Sequence, residues 1–138
     1  MTVSNSDNTG YNEHIHLSLP VNAAYVSAAR LTVSSVANRM GFSVDEIEDI
    51  KTAVSEACTF IIKKAHSDHK NEFKISLMLD TGAMEIQIRT MYERDLEFAE
   101  DDMCLTLIRG LVESFEISKE DAELCITLYK KHLGLRLD

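Results

Sequence analysis

No glycine stands between Gly82 and Gly110, so that stretch cannot carry a glycine-rich phosphate loop, whose backbone needs residues without a Cβ. Cysteine is equally sparse. Cys58, Cys104 and Cys125 are an odd set with no C-x-x-C spacing, which excludes a disulfide frame or a zinc site and leaves buried small hydrophobes in a reducing compartment. Positive charge is the third shortage: 14 Lys and Arg face 23 Asp and Glu, a net charge of -9. Nucleic acid is thereby excluded as the main partner, because phosphate backbones require clustered basic residues. Long apolar runs are also missing, and the opening "MTVSNSDNTGYN" is polar, so neither a membrane span nor a signal peptide is expected. A cytoplasmic protein is the expectation.

What is there reads as one ordinary domain. A chain of 138 residues with 45% hydrophobic and 27% charged residues can bury a single core without staples. Residues 1–12 have no periodicity and are expected to be a disordered polar tail before a single domain over 13–138. "HIHLSLP" alternates Ile15, Leu17 and Leu19 against polar neighbours, and the single proline, Pro20, ends that strand. From Asn22 to Met40 apolar residues recur every three or four positions, with Gly41 at the expected C-cap.

Ser43 and Glu46 form a capping box, and Phe42 and Ile47 are placed for a hydrophobic staple. A second helix begins there. Its stripe runs from Val44 and Ile47 through Ile50, Val54 and Cys58 to Ile61. Glu56 falls opposite that stripe and Phe60 roughly 120° from its centre, so the core has no evident need of Phe60. "EFKISLML" and "AMEIQIRTM" alternate around Asp80-Thr81-Gly82 as a hairpin. After an acidic run over 93–102, a helical stripe resumes at Met103, and "SFEIS" and "AELCITLYK" form a second hairpin about Lys119-Glu120-Asp121. Helices with one apolar stripe and strands with one apolar face predict an α+β fold: a two-layer sandwich with three helices on one face of a mostly antiparallel sheet.

"ARLTVSSVANRMGFS" followed by "DEIEDIKTAVSEACT" resembles the first half of the bacterial anti-sigma-factor serine kinases of stress-response and sporulation partner switching, within the ATPase superfamily of gyrase and the histidine kinases. The resemblance runs from about Ile15 to Ala65 and implies the histidine-kinase-like ATPase fold. In that family the second helix carries Glu-x-x-x-Asn, with both side chains on one face. Glu56 takes the Glu position, which implies a carboxylate that orients or deprotonates a substrate serine. The magnesium-binding Asn falls on Phe60, and a phenyl ring offers no oxygen to a hard cation.

The family's Asp-x-Gly-x-Gly, whose Asp reads adenine, falls on "IRTMYERD", with Thr90 for the Asp and Tyr92 for the first Gly. Its Gly-x-Gly before the third helix falls on Asp102 and Cys104, and its Gly-Thr falls about Glu123 and Leu124. The resemblance therefore implies a degenerate member, a pseudokinase with no nucleotide or metal cofactor. It would bind a sigma factor or an anti-anti-sigma-type protein stoichiometrically, as a homodimer, through a surface that includes Arg30. The alternative is an active serine kinase that holds ATP and magnesium with substituted ligands. A third reading is a sensor that reuses the pocket for an apolar molecule.

Each of these residues also has a plainer reading. Glu56 can be a solvated helix carboxylate or a structural relic of the general base, and Arg30 a surface arginine. Phe60 can be an exposed apolar residue, or it can fill the nucleotide space together with Tyr92 and Met91. The acidic run lacks calcium-loop spacing. His14 and His16, like His66 and His69, offer two metal ligands but no third or fourth.

Overall fold

A computed structural model describes residues 2–4, 13–65, 71–92 and 102–133. Its elements follow the expected order. Strand β2 (Glu13–Pro20) leads into a short 3-10 turn (Ala23–Tyr25), helix α1 (Val26–Arg39) and helix α2 (Val44–Ala65). Hairpin strands β3 (Glu72–Asp80) and β4 (Ala83–Met91), helix α3 (Met103–Arg109), and hairpin strands β5 (Ser114–Glu120) and β6 (Glu123–Lys131) complete the domain. One strand was not expected. Thr2–Ser4 forms β1, which pairs antiparallel with β2 from Thr2 opposite His16 to Ser4 opposite His14. Three residues are too short to show a period, and Val3 is the single apolar residue among them, so no alternation could announce the strand. The rest of the expected tail lies outside the described residues.

All strand pairs are antiparallel, in the order β1-β2-β3-β4-β6-β5. Strand alternation then fixes two faces. Ile15, Leu77, Ile86, Leu128 and Phe115 form one row across the sheet, and Leu17, Ile75, Ile88, Ile126 and Ile117 form the next. These rows join Ala29 and Val33 of α1, Ile50, Val54 and Ile61 of α2, and Leu105 and Ile108 of α3 in one buried core. The opposite face carries His16, Ser18, Lys74, Gln87, Arg89 and Thr127 instead. The two-layer sandwich is therefore as expected.

Local chemistry explains where the elements begin and turn. The backbone N–H of Ser43 donates to the Glu46 carboxylate at 2.8 Å and that of Glu46 to the Ser43 hydroxyl at 3.2 Å, both halves of the capping box. Phe42 is buried and Ile47 packs on the core, as a staple requires. Gly41 (φ 88°) and Gly82 (φ 72°) occupy left-handed backbone, which glycine adopts without a Cβ clash. In the second hairpin the turn residues are Asp121 (φ 49°) and Ala122 (φ 64°), one residue beyond the expected Lys119–Asp121. The shift arises because β5 and β6 pair as far as Glu120 opposite Glu123. No helix among the described residues is long and apolar enough to cross a membrane.

Candidate functional site

The candidate site lies where α2 meets α3. Glu56 and Phe60 are one helical turn apart on α2. Phe60 is 0% exposed. It does not sit off the core; it is part of it. The helical wheel placed it outside because a single stripe suits a helix covered on one side, whereas α2 packs against α1, α3 and the sheet. Lys64 lies on the same side of the helix, its Nζ 5.7 Å from the Phe60 ring centroid, near enough for a cation–π contact.

Asp102 is the N-cap of α3, its carboxylate accepting from the Cys104 backbone N–H at 2.9 Å, the usual role of an aspartate there. That cap orients the first turn so that Cys104 is buried at 2% exposure. Its thiol lies beside the Glu56 carboxylate and accepts from Lys63 Nζ at 3.6 Å. Burial and then the neighbouring Glu56 carboxylate push the thiol above its ordinary value, against the opposing pull of Lys63. The thiol therefore stays protonated. Cys58, farther inside α2, is pushed up to about 12 by burial alone, and neither thiol has the character of a nucleophile.

At the end of β4, Thr90 is 3% exposed, and its hydroxyl oxygen has no hydrogen-bond partner among the described residues. Tyr92 is partly buried against the core. Its backbone N–H donates to the Ala122 carbonyl at 2.6 Å, and Lys119 Nζ stands 5.4 Å from its ring centroid. Met91, expected beside these two, is 51% exposed and so fills no interior space. Arg30 is half-buried on α1, adjacent in sequence to Leu31, which is 70% exposed.

The fold thus brings together Glu56, Cys104 and Asp102 from the expected set, and adds Lys63, which no motif pointed to. A lysine in the last turn of a helix reads as a solvated charge, so only the α2–α3 packing reveals it. Of the acidic run, Asp102 alone is described; residues 93–101 and the pair His66 and His69 lie outside the described residues. Among the described residues no group of three or more His, Cys, Asp or Glu is placed to hold a metal. Among the described residues at this site, α2 presents the Glu56 carboxylate and, one turn on, a buried phenyl ring. Such a set does not fit the magnesium of a nucleotide complex, which needs several oxygens in octahedral geometry.

Comparison with known proteins gives three findings. The family model of the histidine kinase-like ATPase domain matches residues 19–130. The serine-protein kinases RsbW of Bacillus thuringiensis (strain Al Hakam) and Bacillus anthracis are each 45% identical over 76 residues, 55% of this chain and 48% of theirs. The chain thus spans about half the length of the curated relatives it matches. Among solved structures, the RsbU and RsbW domains of Rv1364c from Mycobacterium tuberculosis superpose with a TM-score of 0.69 at 16% identity, covering 86% of this chain and 32% of that one. The SiaB-SiaC complex from Pseudomonas aeruginosa gives 0.65 at 11% identity, covering 83% and 88%. At those identities the likeness is one of fold.

Proposed function

The chain belongs to the family of histidine kinase-like ATPase domains, and from that premise we propose that it is an anti-sigma-factor-like regulator with a degenerate nucleotide site. It binds a sigma factor or a partner-switching component stoichiometrically, as a homodimer, with Arg30 on the contact surface and no ATP or magnesium in its cycle. The observation that carries this reading is Phe60. A fully buried phenyl ring occupies the position where the resembled kinases place a magnesium-binding amide, and the core is packed around it.

The test is affinity capture with the full chain from its native host. Recovery of a sigma factor or of an anti-anti-sigma-type protein, weakened by Arg30→Glu, is the expected outcome. Capture of neither contradicts the proposal. The second reading, an active serine kinase with substituted ligands, is favoured by the 45% identity to named serine-protein kinases. Phosphate transfer from ATP to a captured partner, lost in Glu56→Gln, would establish it in place of the first.

A further inference from the structure

The sheet face opposite the helices has no part in the function above, yet it carries a concentrated charge pattern. Lys74 of β3 and Arg89 of β4 are directly opposed in register, with Ser18 beside Lys74 on β2. Like charges in that relation repel, and the chain as a whole is acidic, so an abundance of carboxylates could have neutralised both. Neutralisation is incomplete. Glu123 approaches Arg89 no closer than 3.5 Å, at Nε, with both side chains more than a third exposed, whereas a charge-assisted hydrogen bond measures about 2.7–2.9 Å. Lys74 has no ion pair among the described residues.

The two cations border a cavity of about 490 Å³ whose other polar walls are His16, Ser18, Ser76 and Glu123. It adjoins a second, of about 210 Å³, which continues past the same pair to Asn71 and Glu72. His16 Nδ1 lies 3.0 Å from Ser76 Oγ, so this pair is held as a unit beside the cations. A planar guanidinium fork, a mobile ammonium and hydroxyl donors converging on one open cavity are the chemistry of oxyanion recognition.

We propose that Lys74 and Arg89 bind a phosphate-sized oxyanion on this face, free in solution or carried by a peptide side chain. The anion relieves the repulsion between the two cations by bridging them. Glu72 and Glu123 at the margins repel ligands with many negative charges and restrict the site to one compact group.

The probes are inorganic phosphate and a phosphoserine peptide with its unphosphorylated counterpart, titrated at constant ionic strength while backbone amide signals are followed by NMR. Expected are saturable shifts around β3 and β4, with affinity weakened at least tenfold in Lys74→Gln and in Arg89→Gln. Both side chains lie outside the core, so the dispersion of the spectrum will verify that each variant folds. A phosphopeptide tighter than phosphate identifies a peptide source; equal affinities identify a free anion. Shifts that never saturate, or that persist unchanged in Arg89→Gln, overturn the proposal, as does a silent titration caused by a second copy of the chain covering this face.

Discussion

Glu46 does more than close a capping box. Its side chain, 12% exposed, also accepts from the Leu133 backbone N–H at 2.8 Å and lies 2.6 Å from His132 Nδ1, tying the end of β6 to the start of α2. Burial by itself would raise this carboxyl, but the backbone donors of Ser43 and Leu133, with the His132 ring, outweigh it and lower it from 4.5 to about 2. A folded value below the unfolded one means stabilisation that is complete above about pH 4.5 and lost as pH falls towards 2. Glu46 should therefore contribute of order 1–3 kcal/mol at neutral pH. Urea midpoints at pH 7 and pH 3 will fall less steeply with acid in Glu46→Gln than in the parent; equal slopes would exclude the linkage.

Phe60 and Thr90 give opposite predictions at the same scale. Truncating Phe60→Ala leaves a cavity in a packed core and should cost about 3–5 kcal/mol, measured by chemical denaturation, whereas an exposed phenylalanine would cost almost nothing. Thr90→Val removes a buried hydroxyl that has no partner among the described residues and should stabilise the fold by about 1 kcal/mol. A loss of stability instead would mean that the hydroxyl is paired in solution.

At the scale of elements, the sequence was most legible where a local rule is complete. The capping box with its staple located the start of α2, and alternation located both long hairpins. It was least legible where a partner decides. Turn register in the second hairpin depends on how far β5 and β6 zip, which no single residue states, and β1 is too short for any period. The site follows the same division. Glu56, Asp102 and Cys104 could be singled out by resemblance, but the approach of the Cys104 thiol to Glu56 and its bond to Lys63 needed the packing. Lys130 shows the limit well: it alternates like an ordinary strand residue, yet it is 7% exposed because its Nζ donates to the Leu111 carbonyl at 2.7 Å and pairs with Asp49 at 3.4 Å. The second turn also yields a prediction. Ala122 holds φ 64° with a Cβ that disfavours it, so Ala122→Gly should raise stability by about 0.5–1 kcal/mol after the greater unfolded-state freedom of glycine is set against the relieved strain. Thermal unfolding of the two proteins will decide it.

For the whole molecule, the two proposed surfaces lie on opposite layers of one architecture. The helical layer holds Glu56, Phe60 and Arg30, the residues on which the regulatory reading depends, while the far side of the sheet holds the Lys74 and Arg89 pair. Between them lies a continuous apolar core that includes the Phe60 ring. On the proposed reading, an α2–α3 contact given over to core packing replaces the open, oxygen-lined cleft that nucleotide binding demands. Isothermal titration of the full chain with ATP and magnesium tests this most directly: the account predicts no heat beyond dilution, and saturable binding in the micromolar range would contradict it.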